Sequence, residues 1–232
     1  MSAWINTALF GIYPYLCLAV FAIGSIVRFD REQYSWRSQS SQLLRRKQLM
    51  WGSNLFHVGI LVIFVGHFGG LLTPVAVFEA LGISHTAKQM TAIVVGGVAG
   101  LLCLGGLLLL LHRRLFDARI RKTSSFADIA ILFLLLAQLS LGLSSIFVSL
   151  RHLDGSEMVA LMEWAQRIVT FRPDAAQFAA GVHPIFKGHL VLGMTIFLVF
   201  PFTRLVHILS APVWYLGRRG YQIVRTKRAG KA

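Results

Sequence analysis

The stretch LMWGSNLFHVGILVIFVGHFGGLL, residues 49–72, contains no Asp, Glu, Lys or Arg. A helix needs about 20 mainly apolar residues to cross the roughly 30 Å hydrocarbon core of a bilayer. This stretch is long enough to do so, and an irregular lipid-exposed backbone would leave its amides without hydrogen-bond partners. It therefore predicts a transmembrane helix, with His57 and His67 as its only ionisable side chains apart from the termini of the run.

Four further apolar runs make this stretch one of five. The chain is 56% hydrophobic, with a mean hydropathy of +0.66, which excludes an ordinary soluble domain. The sequence predicts an all-α integral membrane bundle of five transmembrane helices. It forms one domain over residues 1–232, ending in a short basic tail at about 210–232. The predicted spans are Leu9–Val27, Leu49–Leu72, a run between Lys88 and Arg113, a run between Asp128 and Arg151, and Val182–Leu209 with a bend at Pro201.

The basic residues predict the orientation of the bundle. The net charge is +14, and Lys and Arg cluster in segments 28–48 and 113–125 and in the tail. Because these clusters alternate with loops poor in basic residues, they indicate membrane topology rather than a nucleic-acid site. They place the C-terminus in the cytoplasm and the N-terminus outside. The same segments are the expected surface for anionic lipid and partner subunits.

The two cysteines, Cys17 and Cys103, lie within apolar runs, and no CxxC motif is present. This excludes covalent c-type haem, iron–sulfur ligation by this chain alone and a disulfide framework. The first residues lack the basic segment of a cleavable signal peptide, so we expect none.

Two smaller features concern packing. Segment 151–181 has helical apolar spacing, and the pair Asp154 and Glu157 resembles a capping box, so a short amphipathic helix on the outer face is expected. Gly96 and Gly100 have the GxxxG spacing that permits close helix approach.

Histidines mark the candidate functional site. His57 and His67 lie in the second run, and His189 and His207 lie in the fifth. Because these two spans run in opposite directions, antiparallel packing pairs His67 with His189 at one depth and His57 with His207 at the other. On a continuous helix, the 18 residues from His189 to His207 make five turns and put both on one face.

Two imidazoles facing each other suit a haem used for electron transfer, because they occupy both axial positions of the iron. Arg204, one turn before His207, suits a haem propionate, and Arg113 and Arg114 are weaker candidates. For each arginine taken singly, anchoring at the cytoplasmic membrane edge is the favoured alternative. His183 is an alternative outer ligand, placed at the edge of the span. Four glycines offer room for a porphyrin or simply allow helix packing: Gly59, Gly66, Gly188 and Gly193.

Several motifs carry a family resemblance over nearly the whole chain. They are NLFHVGI at 54–60, FVGHF at 64–68, GHLVLGMT at 188–195 and FPFTRLVH at 200–207, with IYPY at 12–15, SWRSQSSQ at 35–42 and LDGSEM at 153–158. Together they resemble the gamma subunit, a cytochrome b, of membrane-bound respiratory nitrate reductase.

The resemblance implies two b haems, an outer one held by His67 and His189 and an inner one held by His57 and His207. It implies quinol oxidation near the outer haem, with Lys88 as the catalytic residue at the quinol site, framed by Gly66 and His67. Electrons would pass to an iron–sulfur subunit and a molybdenum-containing catalytic subunit, where nitrate is reduced. It also implies the bacterial cytoplasmic membrane. The alternative for Lys88 is an interface anchor.

Two other functions compete with this interpretation. One is a haem b anchor of another complex, such as a sulfite- or heterodisulfide-type reductase or a hydrogenase. The other is a haem-free channel or transporter whose histidines relay protons. Asp, Glu and Lys are absent from the centres of the five runs. This argues against a proton pump and fits charge movement by electrons after quinol oxidation on the outer side.

Overall fold

The computed structural model describes residues 2–36 and 43–211, so most of the predicted basic tail and of segment 35–42 lies outside the described residues. Five helices are long and apolar enough to cross a membrane, which confirms the all-α, five-span prediction. They are α1, α2, α4, α6 and α9 in the following series. The helices are α1 Ala3–Arg31, α2 Arg46–Leu72, α3 Val75–Ala80, α4 His85–Phe116, α5 Ala118–Lys122, α6 Phe126–Ser149, α7 Ser156–Val169, α8 Ala175–Ala180 and α9 Pro184–Val199.

The spans are arranged as an arc, in the order α2, α4, α6, α9, α1. The main neighbours of α2 are α4 and the loop helix α7, while those of α9 are α1 and α6. Direct antiparallel packing of the two histidine-bearing helices was predicted, and it is not the main contact of either. Their histidine rings meet instead, as described below.

Close contact between α2 and α4 depends on two glycines. A Cβ on Gly59 would lie 2.5 Å from the carbonyl oxygen of Ala99, and one on Gly106 would overlap the backbone nitrogen of Phe56. Gly96 and Gly100, which have the GxxxG spacing, do not act as a pair. A Cβ on Gly100 would lie 2.6 Å from Leu143 Cδ2 on α6, whereas Gly96 has nothing within 4 Å of that position.

The fifth span is not one helix to Leu209. The α-helix ends at Val199, Phe200–Phe202 form a 3₁₀ turn, and Thr203 is extended, with φ −121° and ψ 178°. A second 3₁₀ helix, Arg204–Ser210, then carries His207. Pro201 has no N–H to continue the helical ladder, which accounts for the break. The prediction that His189 and His207 share one helical face was therefore wrong.

Segment 151–181 folds into two helices, α7 and α8. The amphipathic helix is confirmed in α7, which buries Met162, Trp164 and Ile168, and Trp164 Nε1 donates to the carbonyl of Phe10 at 2.9 Å. The predicted capping box is wrong because the helix begins after Gly155, which is in the left-handed region with φ 76°. Hydrogen bonds from Ser156 to the Asp154 carboxylate lower the pKa of Asp154.

Candidate functional site

The four histidines of the second and fifth runs form the two predicted pairs. The ring centroids of His67 and His189 are 6.1 Å apart, and those of His57 and His207 are 6.5 Å apart. A metal–imidazole bond of about 2.0–2.1 Å, plus roughly 1.1 Å from nitrogen to ring centre, places two rings that share one metal about 6.3 Å apart. Both spacings match that of two rings with one metal in line between them.

The protonation of each ring follows from its hydrogen bonds. Every Nδ1 contacts a backbone carbonyl, which can only accept, so Nδ1 carries a proton, and in the neutral ring the lone pair is then on Nε2. This is the neutral form that ligates a metal through Nε2, with the other nitrogen fixed by the main chain. The carbonyl partners are Ser53 for His57 at 2.7 Å, Ile63 for His67 at 2.8 Å, Gln138 for His189 at 3.2 Å and Arg204 for His207 at 2.5 Å.

Gln138 of α6 contacts both nitrogens of His189. Its carbonyl accepts from Nδ1, and its side-chain Nε2 lies 3.2 Å from the imidazole Nε2, to which an amide N–H donates. The side-chain Oε1 of Gln138 is buried without a hydrogen-bond partner in the described part of the chain. The spacing of each histidine pair suits one haem iron, and at His189 the Gln138 amide would have to release Nε2 before that nitrogen could bind iron. Gln138 is a polar residue within an apolar run, a signal that sequence reasoning missed.

The glycines proposed to make room for a porphyrin serve different purposes. A Cβ on Gly66, next to His67, would have nothing within 4 Å. Gly59 is instead needed for the contact with α4, and a Cβ on Gly193 would lie 3.1 Å from the Gln138 amide. A Cβ on Gly188 would make only ordinary contact with Leu141, at 3.8 Å. Of the four, Gly66 is the one beside a paired histidine with free space.

Arg204 belongs to a buried charged cluster beside His207. Its Nε lies 2.9 Å from Asp128 Oδ1, and Arg114 NH1 lies 3.5 Å from Asp128 Oδ2. Asp128 starts α6 in a capping box with Ser125, a position that sequence reasoning treated only as a span boundary. Two guanidinium groups lie at one carboxylate, so the cluster carries a net positive charge, and its Arg204 accepts from His207 Nδ1 through the main-chain carbonyl.

Lys88 lies in the first turn of α4 rather than in a loop. Its Nζ donates to the carbonyl of Gly70 at 2.8 Å, contacts Met162 Sδ at 2.7 Å and lies 3.8 Å from the ring centroid of Phe78. Gly70 is one turn beyond His67 on α2. The lysine side chain is therefore held at the end of the helix that carries His67.

His183 has a local role at the start of α9. Its Nδ1 accepts from the backbone N–H of Ile185 at 3.3 Å, and it caps the helix. The histidine that faces His67 is His189.

Comparisons with known proteins identify the family of the chain. Residues 6–227 match the family model described as nitrate reductase gamma subunit. The chain is 54% identical to respiratory nitrate reductase 1 gamma chain of Escherichia coli (strain K12), over 97% of this chain and 99% of that one. It is 51% identical to respiratory nitrate reductase 2 gamma chain of the same strain, over 98% and 100% of the two chains. It is 42% identical to nitrate reductase gamma chain of Bacillus subtilis (strain 168), over 94% and 97%.

The family and the five apolar helices agree on where this chain functions. The relatives are gamma chains of bacterial nitrate reductases, and the helices fit a multi-pass protein of the inner membrane. The predicted family is confirmed, because the match extends over nearly the full length of both this chain and its relatives. The chain belongs to the nitrate reductase gamma subunit family, the membrane-anchoring subunits of an oxidoreductase complex.

Proposed function

We propose that the chain is a dihaem cytochrome b that oxidises quinol and delivers electrons to partner subunits for nitrate reduction. The observation that carries the proposal is the pairing of four histidines, at 6.1 and 6.5 Å, all with Nδ1 on a backbone carbonyl. One such pair would suit a single metal site. Two pairs on the same two chain segments suit a path for electrons.

His67 and His189 would hold the outer haem, and His57 and His207 the inner one. Each haem would supply a one-electron carrier, held by the two imidazoles of its pair. The separation of ten positions from His57 to His67 corresponds to about 15 Å of helix, so the two sites lie at different depths. The main-chain carbonyls fix the orientation of the rings, and they raise the basicity of the ligating nitrogens.

Other residues of this chain would complete the two sites. Gly66 leaves space beside His67. Arg204 and Arg114 both lie at the carboxylate of Asp128, and a guanidinium group suits an anionic haem propionate near His207. Of the two arginines, Arg204 is the nearer to His207 in sequence, and its own carbonyl accepts from His207 Nδ1.

The basic segments support an orientation with the N-terminus outside and the inner pair towards the cytoplasm. Quinol oxidation at the outer side would release its protons there, while its electrons move inward along the two histidine pairs. Charge would then cross the membrane without a proton channel through this chain. An iron–sulfur subunit and a molybdenum-containing catalytic subunit would receive the electrons at the cytoplasmic side.

Lys88 would bind quinol beside the outer pair. Its ammonium is held between Gly70 of α2, Met162 of α7 and Phe78 of α3, at the end of α2 nearest His67. From there Nζ would donate a hydrogen bond to a quinol oxygen. A positive charge next to that oxygen favours loss of its proton and so assists oxidation.

Lys88→Ala is expected to lower kcat/KM for quinol oxidation about 10- to 100-fold, the value of one hydrogen bond from a charged donor. Both haems should remain, because Lys88 contacts none of the four histidines. Steady-state quinol oxidation and haem content per chain check this.

Lys88→Met separates the charge from the length of the side chain, and it should behave like Lys88→Ala. Lys122→Ala is the control, since it removes the same charge from the short helix α5 that follows the other end of α4. Quinol kinetics that do not change in either Lys88 variant would assign Lys88 to anchoring at the interface.

The proposal as a whole is tested by adding a hydroquinone to the purified complex under anaerobic conditions. Reduction of two b-type haems per gamma chain is expected. A protein without a reduced b-type absorbance band would contradict both the dihaem proposal and the other haem b anchors, and would favour a haem-free channel or transporter.

A further inference from the structure

We propose that Arg28 is a positioning residue for the inner ligand His207. The proposal rests on the proposed function in one respect, that His207 ligates the inner haem. Arg28 lies near the end of α1, remote in sequence from His207, and its guanidinium reaches the chain segment on which His207 is built. We call residues 200–210 the His207 segment.

The guanidinium of Arg28 binds the backbone on both sides of the break in the fifth span. NH1 donates to the carbonyl of Pro201 at 2.5 Å and to that of Thr203 at 2.9 Å. The other nitrogens bind Ser35, NH2 to its carbonyl at 3.0 Å and Nε to its hydroxyl at 3.3 Å. One side chain thus joins the end of α1, the turn at Ser35 and the His207 segment.

These contacts matter because the His207 segment lacks a regular helix. The α-helix ends at Val199, and Thr203 is extended, so carbonyls near the break lose their usual helical donors. Arg28 supplies donors to two of them. Its planar, delocalised guanidinium can do so in a fixed geometry, which a lysine cannot.

A second contact holds the far end of the same segment. Trp36, next to Ser35, donates from Nε1 to the hydroxyl of Ser210 in a short hydrogen bond. Trp36 also packs edge-on against Phe29 of α1, with ring centroids 5.4 Å apart, and against the buried cluster that includes Phe200, Leu205 and Val206. Arg28 and Trp36 therefore hold the two ends of the His207 segment.

The role of Arg28 differs from that of the Asp128–Arg204 ion pair. That pair fixes the side chain of Arg204, whereas Arg28 binds main-chain carbonyls at Pro201 and Thr203. The carbonyl of Arg204 accepts from His207 Nδ1, so any shift of this backbone changes the ring directly. We infer that Arg28 sets the orientation of the His207 imidazole against that of His57.

The test compares Arg28→Ala, Arg28→Lys and the control Arg31→Ala in the complete haem-loaded complex. Arg31 lies on the same last turn of α1, but it pairs only with the exposed Asp30 among the described residues. Hydrogen–deuterium exchange of peptides covering 200–211 reports on how firmly Arg28 holds the His207 segment, and it does not depend on haem. Electron paramagnetic resonance of the inner haem, identified as the signal that His57→Ala removes, reports on imidazole orientation.

Arg28→Ala is expected to speed exchange in 200–211 by about tenfold or more and to shift the inner haem signal, leaving the outer one unchanged. Arg28→Lys should retain part of the slow exchange in 200–211 and part of the wild-type inner haem signal. It provides the test if the alanine variant fails to fold. Arg31→Ala should match the wild type.

Exchange and spectra in both Arg28 variants that match those of Arg31→Ala would overturn the proposal. Faster exchange at 200–211 with an unchanged inner haem signal would also overturn it, because Arg28 would then be structural only. A wild-type complex without an inner haem would instead contradict the proposed function. The exchange measurement would still test whether Arg28 holds the His207 segment.

Discussion

Alanine at His67 or His189 is expected to lower the haem content from two to one per chain, and alanine at His57 or His207 is expected to remove the other haem. The reason is that each iron would lose one of two axial nitrogens held in place by the backbone. Quinol-driven electron transfer should fall to background in all four variants. Haem quantification and reduced-minus-oxidised spectra measure the loss.

The spectra carry the sharper part of this prediction. His67→Ala and His189→Ala should leave the same remaining haem spectrum, and a variant with both changes should match either single variant. His112→Ala is the control, because His112, near the end of α4, contacts Gln48 of α2 and belongs to neither pair. Loss of the same haem from His57→Ala and His67→Ala would refute the pairing.

Gly106→Ala is expected to destabilise the bundle by about 1–3 kcal/mol or more, the usual cost of overpacking. The added methyl group would overlap the backbone of Phe56, which cannot move as a flexible side chain could. Because Phe56 precedes His57, the inner haem should be lost before the outer one on heating. Thermal unfolding in detergent, followed by haem absorbance, provides the measurement.

Gly105→Ala is a matched control on the neighbouring residue. A Cβ there has nothing within 4 Å, so the variant should be neutral or slightly stabilised by better helix propensity, about 1 kcal/mol at most. If Gly106→Ala and Gly105→Ala unfold at the same temperature, the close contact between α2 and α4 does not limit stability.

The five spans and the two histidine pairs could be predicted from the sequence because they depend on simple quantities. Apolar length determines a span, and the opposite directions of two spans determine which histidine meets which. The predicted pairing of the histidines was correct, although two steps of the reasoning that led to it were wrong. The histidine helices are not main packing partners, and His207 lies beyond a helix break, yet the rings pair as predicted.

The contacts that hold the site depend on the tertiary fold, and no local pattern revealed them. Arg28 looked like a charge at a membrane edge, but it binds carbonyls more than 170 residues away in sequence. Asp128 looked like a span boundary, but it is buried between two arginines. Gly59 and Gly106 lie on different helices, α2 and α4, so no spacing within one run could identify them as partners in the close contact.

The most direct test of the central claim is an optical redox titration of the purified wild-type protein, together with a haem count. We predict two b-type haems per chain, titrating as two one-electron components with low-spin, bis-histidine spectra. A chain that binds a single haem, or that has no b-type absorbance when reduced, would contradict this account.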